Sequence, residues 1–187
     1  MEKKKIRICI IGCGQFARHF IPLLLNHPYV EKVAVCDVDA KRAEEYSGEF
    51  GTKVIPSFDD ALARKDINAV AIFVPRHLHG PFAIAALKAG KNVYSAVPMA
   101  SSVDDCREIV KLVKEKDLVY MMGETCIYYP CSMFCKKAYE RGDFGKFVYG
   151  EAQYHHDLLH FGILRNDMPS LAIPPLYYST HSVSMLL

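Results

Sequence analysis

The sequence has 187 residues, of which 51% are hydrophobic and 24% charged, and its formal net charge is +2. This composition is typical of a globular protein with a substantial core, and the small net charge argues against nucleic acids and membrane surfaces as partners. No apolar segment approaches the roughly 20 residues of a membrane span, and no cleavable apolar leader precedes the first predicted strand, so we expect a cytoplasmic protein.

The chain opens with the pattern of a dinucleotide-binding βαβ unit. An apolar run, with Ile8, Ile10 and Ile11, leads into the glycine turn Gly12–Ala17 (GCGQFA), a helical pattern follows, and a second apolar run closes on Asp37. Strand, glycine turn, helix, strand and acidic residue stand in the order that such a unit requires. A purely structural glycine turn is the alternative, and the two strands and the acid favour the functional interpretation.

The residues of this turn suit a bound pyrophosphate. Gly12 lets the chain turn tightly off the strand, Gly14 has no Cβ and lets backbone approach the phosphates, and Ala17 allows close packing of helix and strand. The N-terminus of the helix offers N–H groups and a partial positive charge. Asp37 is expected to accept hydrogen bonds from the adenosine ribose and to repel a 2′-phosphate. We therefore predict NAD(H) as the cofactor, with NADP(H) disfavoured.

Predicted strands and helices alternate from Asp37 to residue 121. Helices are predicted from Asp39, from Ser57 and over 81–88 and 101–116, and strands over 69–74, 92–95 and 118–121. This alternation predicts an α/β fold with a Rossmann-type doubly wound parallel sheet over residues 1–123. Ligands of such sheets bind beyond the carboxyl ends of the strands, which here are followed by the Gly12 turn, Asp37 and residues 74–77, 95–98 and 123–125.

After Gly123 the rhythm changes, and residues 124–187 are predicted to begin a second α/β domain with a mostly antiparallel sheet. Residues 130–141 have a helical pattern, 147–155 alternate like a strand with one face toward a core, and 177–187 form the first turns of a helix carrying His181. Because the sequence stops on an apolar run without a helix cap, we expect this domain to be incomplete.

Two groups of side chains have the chemistry of metal ligands. The first is Cys126, Cys131 and Cys135, whose spacing matches no common zinc pattern. The second is rich in histidine and likewise lacks the ligand spacing of a known site: His155, His156, Asp157 and His160. We therefore predict no metal. The seven cysteines are an odd number without a CxxC pair, and we expect most to be free in a reducing compartment.

Taken together, the motifs resemble the glucose–fructose oxidoreductase / inositol dehydrogenase family, Gfo/Idh/MocA, along nearly all of the chain. The resemblance rests on five segments: GCGQFA from Gly12, VCDVD ending the second strand, VPRHLHGPFAIAALKAGKNV from Val74, SAVPMA from Ser95 and KKAYERGDFGKFVYGEAQY from Lys136. The segment from Val74 is the most specific, because family members have a Pro-Asn or similar pair at Pro75-Arg76 and then a histidine matching His79. The chain corresponds to about half of a typical member.

The resemblance implies a Rossmann domain joined to a C-terminal α/β domain whose open sheet mediates homo-oligomerisation. It implies a small-molecule substrate, a sugar or a cyclitol. Arg76 is expected either to contact a phosphate or a substrate carboxylate, or to be simply solvated, and the sequence favours neither interpretation. The residues expected to contact the cofactor are Gly12, Cys13, Gly14, Gln15, Phe16, Asp37, Val74, Pro75, Arg76, His79, Ala96 and Pro98.

One departure from the family concerns the chemistry. The usual Glu-Lys-Pro triplet stands here as Ala96-Val97-Pro98. In the family the lysine lies near the nicotinamide and the reacting hydroxyl, where a cation lowers the pKa of the alcohol and helps proton transfer. Val97 cannot do this. Either another residue takes that role, or the protein is a catalytically impaired, nucleotide-binding regulatory or scaffold protein.

A subgroup of the family also lacks the lysine and includes NAD-dependent α-N-acetylgalactosaminidases. The chain resembles it at 154–158 (YHHDL) and 178–181 (YSTH). The resemblance favours His181 as the acid/base, with Tyr154 and His156 as second candidates for binding or proton transfer. Our leading hypothesis is an NAD(H)-dependent oxidoreductase that moves a hydride at a hydroxyl carbon of a sugar or cyclitol. The enzymatic alternative is an NAD-dependent glycosidase that acts by transient oxidation and elimination.

Overall fold

The computed structural model describes residues 5–155 and 179–186. The chain forms two compact units, residues 1–123 and 124–187. The first unit contains strands β1 (Ile6–Ile11), β2 (Val30–Cys36), β3 (Lys53–Val54), β4 (Ala69–Ile72), β5 (Asn92–Ser95) and β6 (Tyr120–Met122). Its helices are α1 (Gln15–Leu25), α2 (Ala40–Phe50), α3 (Phe58–Ala63), α4 (His79–Lys88) and α5 (Val103–Lys116), and a 3₁₀ turn, Arg76–Leu78, precedes α4.

The six strands form one parallel sheet in the order β3-β2-β1-β4-β5-β6. This is the strand order of dinucleotide-binding Rossmann domains, and it confirms the predicted doubly wound parallel sheet. The order reverses between β1 and β4, which pair from Ile8 with Ala69 to Ile11 with Ile72. The carboxyl ends of these two strands therefore define the switch point, where open α/β sheets bind ligands.

Alternate side chains of the central strands enter two separate cores. On β1, Ile8 and Ile10 pack with residues of α1 and α2 such as Ile21. Cys9 and Ile11 pack on the opposite face with residues of α3, α4 and α5 such as Leu87. A strand covered on both faces needs apolar side chains at successive positions, which explains the apolar runs Ile8–Ile11 of β1 and Ala69–Ile72 of β4.

Three helices begin where the sequence places a capping side chain. The side chains of Asp39, Ser57 and Ser102 accept hydrogen bonds from backbone N–H groups in the first turns of α2, α3 and α5. Each bond satisfies one N–H group that has no partner within its helix. Because each cap is an interaction between residues three positions apart, the starts of the three helices can be predicted from the sequence.

In the described part of the second unit, a 3₁₀ turn (Cys126–Tyr128) precedes helix α6 (Pro130–Glu140), and helix α7 (Thr180–Ser184) carries His181. The antiparallel sheet predicted for this unit is not found there: residues 147–155 have no regular secondary structure. Polar side chains two residues apart still hydrogen-bond along this segment, from Tyr149 through Glu151 and Gln153 to His155. The alternating polar residues of this segment therefore lie on one common face, as the sequence pattern indicates. A β-strand also needs hydrogen bonds to a partner strand, and the pattern does not show whether such a strand exists.

Candidate functional site

Gly12 ends β1 at the switch point, and its position admits only glycine. Its φ is +95°, and a Cβ built there would overlap the carbonyl of Phe73, with the carbonyl carbon at 2.8 Å. Phe73 follows β4 and donates its N–H to the Ile11 carbonyl at 2.8 Å. The backbone at the end of β4 thus lies directly against the turn. Gly12 is therefore required by the fold, independently of any ligand.

Gly14 differs, because a Cβ built there would meet nothing within 4 Å. It is the N-cap residue of α1, and no side chain caps that helix and no acidic residue lies in its first turn. The Tyr46 hydroxyl holds the turn from the other side by donating to the Gly14 carbonyl at 2.9 Å. Open space before an uncapped helix N-terminus is the arrangement that receives a phosphate. These residues therefore fit the pyrophosphate of a dinucleotide.

Asp37 follows β2 and lies beside this turn. Its Oδ2 accepts from the Cys13 N–H at 2.6 Å and its Oδ1 from the Asp39 N–H at 2.8 Å. The Arg42 guanidinium lies 3.9 Å from Oδ1, and the Asp37 side chain is 6% exposed. Each carboxylate oxygen can accept more than one hydrogen bond, so these contacts leave acceptor capacity for ribose hydroxyls.

The other predicted residues of the turn differ in exposure. Cys13 is buried, its thiol lies in the core, and burial, aided by the charge of Asp37, raises its pKa to about 12. Gln15 and Phe16 are exposed at the start of α1. The Phe16 ring packs against Phe20 and Phe73, with centroids 4.7 and 5.3 Å away. Contact of Cys13 with a ligand is limited to its backbone, whereas the side chains of Gln15 and Phe16 are accessible.

The second half of the predicted cofactor site lies after β4 and β5. Pro75 is exposed, and Val74, Arg76, Ala96 and Pro98 are partly buried. Arg76 begins the 3₁₀ turn before α4, and its carbonyl accepts from the Ser101 hydroxyl at 3.4 Å. The loops after two neighbouring parallel strands therefore lie at the same edge of the sheet as the glycine turn.

His79 has a position that the sequence does not indicate. It is 1% exposed, its Nδ1 lies 2.7 Å from the Pro98 carbonyl oxygen, and its Nε2 lies 2.9 Å from the Val74 carbonyl oxygen. Both ring nitrogens are thus occupied by main-chain carbonyls. We interpret His79 as the residue that joins the two loops, and not as a direct cofactor contact.

Val97 lies between the partly buried Ala96 and Pro98, in the place of the family lysine. Its side chain is buried, and the Val97–Pro98 peptide is cis. An apolar, buried side chain supplies no charge and no proton. Any acid/base group must therefore come from elsewhere in the chain.

In the second unit, the structure pairs His181 with Glu124. The His181 Nδ1 lies 2.7 Å from the Glu124 Oε1, and each side chain is 7% exposed. The Tyr154 ring packs on the imidazole with centroids 4.3 Å apart, and burial raises the pKa of Tyr154. His156, the remaining catalytic candidate, lies outside the described residues. The structure thus brings together two of the three candidates.

Sequence reasoning missed Glu124 and Cys126 as members of this cluster. Glu124, Cys126 and His181 are all buried, and each presents one potential ligand atom, with all three atoms within 4.8 Å of one another. Cys131 and Cys135, which we grouped with Cys126 in the sequence, are exposed. The available signal was that Glu124 lies two residues after β6, in the segment 123–125 that is expected beyond the carboxyl ends of the strands.

A sequence model described as "Oxidoreductase family, NAD-binding Rossmann fold" (GFO_IDH_MocA) matches residues 6–124, which include the glycine turn, Asp37 and the Val97 loop.

The chain belongs to the Gfo/Idh/MocA oxidoreductase family.

Among curated members of the Gfo/Idh/MocA family, a glycosyl hydrolase family 109 protein of Shewanella pealeana is 30% identical over 163 residues. The match covers 82% of this chain and 36% of that protein, so the chain spans about a third of the length of this relative. A match of 163 residues is too long to end within the first unit. The similarity therefore extends beyond the Rossmann sheet.

Two solved structures resemble this chain. One is the myo-inositol 2-dehydrogenase of Lactobacillus plantarum, with a TM-score of 0.71 and 28% identity, covering 78% of this chain and 44% of that one. The other is a 3-ketoreductase of Actinomadura kijaniata in complex with NADP and TDP-benzene, with a TM-score of 0.69 and 25% identity, covering 74% and 43%. The structural neighbours of this chain thus include an inositol dehydrogenase and a 3-ketoreductase.

In the part of the chain that the structure describes, no helix has both the length and the apolar character needed to cross a membrane.

Proposed function

We propose that this protein is an NAD(H)-dependent oxidoreductase that acts on a hydroxyl carbon of a sugar or cyclitol. The observation that carries the proposal is the Gly12–Gly14 turn at the switch point, with open space at Gly14 before an uncapped helix. The likeness to myo-inositol 2-dehydrogenase and to the sugar ketoreductase supports the substrate class. When bound, NAD supplies the acceptor for the hydride of the carbinol carbon.

We further propose NAD in preference to NADP. The Gly14 turn and the N-terminus of α1 hold the pyrophosphate, and Asp37 accepts hydrogen bonds from the ribose hydroxyls. A carboxylate at this position repels the 2′-phosphate of NADP. Arg42 is the nearby cation, but its guanidinium is directed to Asp37 and Asp39. NADP is the nucleotide in the ketoreductase complex, so the preference is decided by titration with both.

We propose His181 as the acid/base of the reaction. It is a buried imidazole with a fixed partner, and a neutral imidazole accepts a proton at the ring nitrogen that carries none. In the oxidation it takes the proton of the substrate hydroxyl, and in the reduction it returns that proton. Tyr154, packed on its ring, and His156 are the second candidates for substrate binding or proton transfer.

The test is NAD reduction with a panel of inositols and hexoses, comparing wild type with His181→Ala. We expect His181→Ala to lower turnover about 10²–10⁴-fold while NAD still binds. His155→Ala is the matched control, because His155 is an exposed histidine whose contact is with Gln153. Turnover of His181→Ala near the wild-type value would refute the assignment.

A second function, an NAD-dependent glycosidase, is favoured by the match to the glycosyl hydrolase family 109 protein, which continues into the second unit. In this case a sugar hydroxyl is oxidised transiently, the glycosidic bond is eliminated, water adds, and the return of the hydride reduces the carbonyl to the hydroxyl again. Release of an aryl leaving group from glycosides, without net NAD reduction, identifies this activity. If neither activity occurs while NAD binds, the protein is a nucleotide-binding regulatory or scaffold protein, as the replacement of the family lysine by Val97 allows.

A further inference from the structure

The buried pair of Glu124 and His181 joins two residues that are 57 positions apart in the chain. Both side chains are 7% exposed, so the 2.7 Å contact is shielded from water. A hydrogen bond that involves a charged carboxylate in such surroundings is stronger than one at the surface. The contact therefore constrains both side chains.

The Glu124 carboxylate accepts the proton in this contact. Its Oε1 also accepts from the Cys126 N–H at 2.8 Å. Burial by itself raises the pKa of Glu124, but the hydrogen bonds from Cys126 and His181 outweigh it and hold the pKa below its ordinary value. An ionised carboxylate only accepts hydrogen bonds, so the shared proton is on the His181 Nδ1.

The surroundings of the second carboxylate oxygen of Glu124 make the charge of this carboxylate more dependent on the hydrogen bond from His181. Oε2 is buried and has no hydrogen-bond partner among the described residues. The charge of the carboxylate is thus stabilised mainly through Oε1, by the Cys126 backbone N–H and the imidazole N–H, with a smaller contribution from the Cys126 side chain. Removing the imidazole would leave a buried carboxylate short of donors, and removing the carboxylate would take away the acceptor at Nδ1.

We propose that Glu124 is the positioning residue of His181: it fixes the tautomer with the proton on Nδ1, so that Nε2 is the ring nitrogen that exchanges the proton of the substrate hydroxyl. The inference rests on the proposed function for what Nε2 does. In the oxidation, the O–H bond breaks, its proton goes to Nε2, and its electron pair forms the carbonyl as the hydride leaves the carbon. A ring nitrogen that already carries a proton cannot accept another, so the tautomer decides whether His181 can begin as the base.

The imidazole is held by more than Glu124. Helix α7 has only five residues, too few to be stable without tertiary contacts. The Tyr154 ring packs on one side of the imidazole, and the Ser184 hydroxyl donates to the His181 carbonyl at 2.8 Å. Packing therefore limits the orientation of the ring, while the Glu124 contact selects which nitrogen carries the proton.

A metal ion bound by Glu124, Cys126 and His181 is the competing interpretation of the same cluster. A metal ligand must be deprotonated, whereas burial raises the pKa of the Cys126 thiol and so favours the protonated form. Glu124 already has a donor from His181 at 2.7 Å and one from the Cys126 backbone. The Glu124 Oε1 thus has two donors without an ion, and metal analysis distinguishes the two interpretations.

The decisive measurement is nitrogen NMR of the full chain with 15N-labelled histidine, with the His181 signals identified from a His181→Gln sample. In the wild type we expect a protonated Nδ1 and an unprotonated Nε2. Glu124→Leu removes the acceptor and should move the proton from Nδ1 to Nε2, whereas Glu124→Gln keeps an oxygen acceptor and should retain the wild-type tautomer. Glu140→Leu, at an exposed glutamate at the end of α6, should change nothing.

Two results would overturn the proposal: an unchanged His181 tautomer in a folded Glu124→Leu protein, or one equivalent of a metal that disappears in Cys126→Ser. If Glu124→Leu does not fold, the tautomer of the wild type is decisive by itself, because a proton on Nε2 contradicts the assignment. The tautomer is measured without turnover, so it can be confirmed even if no substrate reacts. Where a substrate is found, Glu124→Leu should lower kcat about 10²-fold or more with little change in KM.

Discussion

The Asp37 carboxylate accepts a hydrogen bond of 2.6 Å from the backbone N–H of Cys13. Cys13 lies between Gly12 and Gly14, so this bond ties the residue after β2 to the turn that ends β1. Because the Asp37 side chain is also 6% exposed, it supports the shape of the turn before any ribose is bound. Substitution of Asp37 therefore affects the turn as well as the nucleotide contact.

We expect Asp37→Ser to weaken NAD binding about 10–100-fold, the equivalent of roughly 1.4–2.8 kcal/mol for a lost charge-assisted hydrogen bond. NADP binding should fall less, because the repulsion of the 2′-phosphate is removed with the carboxylate. Fluorescence titration with NADH and NADPH measures both dissociation constants.

Asp39→Asn is the control for this substitution. Asp39 is an exposed acid two residues further on that caps α2, and asparagine caps a helix about as well. It should leave both affinities unchanged. An Asp37→Ser protein that binds NAD as tightly as the wild type, or a wild type that binds NADP more tightly than NAD, would contradict the assignment.

Gly12→Ala and Gly14→Ala should separate folding from binding. At Gly12 the added Cβ overlaps the Phe73 carbonyl and φ is +95°, so we expect a loss of about 2 kcal/mol or more in the free energy of unfolding. At Gly14 the Cβ meets no protein atom, so stability should change by less than about 1 kcal/mol. NAD affinity should nevertheless fall in Gly14→Ala, because the methyl group occupies space proposed for the pyrophosphate.

Urea denaturation and NADH titration of the two variants measure these quantities. Unchanged NAD affinity in Gly14→Ala would show that the open space at this residue is not where the phosphates bind.

His79→Leu should lower the free energy of unfolding by about 1 kcal/mol or more, because both ring nitrogens lie within hydrogen-bond distance of a carbonyl oxygen, of Val74 or of Pro98, and at least one of these carbonyls loses its donor. NAD binding should weaken as well, since the loops after β4 and β5 lose the side chain that joins them. His77→Leu is the matched control: His77 is exposed in the 3₁₀ turn just before α4. Equal stability of the two variants in urea would exclude this role of His79.

The contribution of Glu124 to stability should depend on pH. Its pKa in the folded chain is lowered, as the hydrogen bonds from Cys126 and His181 outweigh the effect of burial. A carboxyl group with a lowered folded pKa stabilises the fold above its unfolded pKa of about 4.3, and this contribution is lost as the pH falls through the folded pKa. Glu124→Gln should therefore be less stable than wild type at pH 7, and the difference should shrink below about pH 4.

Denaturation at a series of pH values measures this difference, and Glu140→Gln, at an exposed glutamate, should follow the wild-type curve. A constant difference between wild type and Glu124→Gln from pH 7 to pH 3 would contradict the expected linkage.

Much of the first unit was predictable because its signals are local. Caps at Asp39, Ser57 and Ser102, apolar runs and the glycine turn each act within a few residues, and the order of the elements leads to a doubly wound parallel sheet. Boundaries shifted where tertiary contacts decide them: β6 begins at Tyr120, whereas the pattern predicted residue 118. The segment 147–155 shows the limit, because alternation marks a shared face without identifying a partner strand.

The sequence by itself determined the Rossmann fold and the nucleotide turn of this Gfo/Idh/MocA protein, because Gly12, Gly14 and Asp37 lie in one βαβ unit with a short, regular geometry. Only the tertiary structure decided that His79 joins two loops and that Glu124 meets His181. Those partners are separated by up to 57 residues, and which of them meet depends on packing. The cofactor turn is thus predictable from residues that lie within one βαβ unit. The proposed tautomer of His181 depends instead on a contact with Glu124 that forms only when the chain folds.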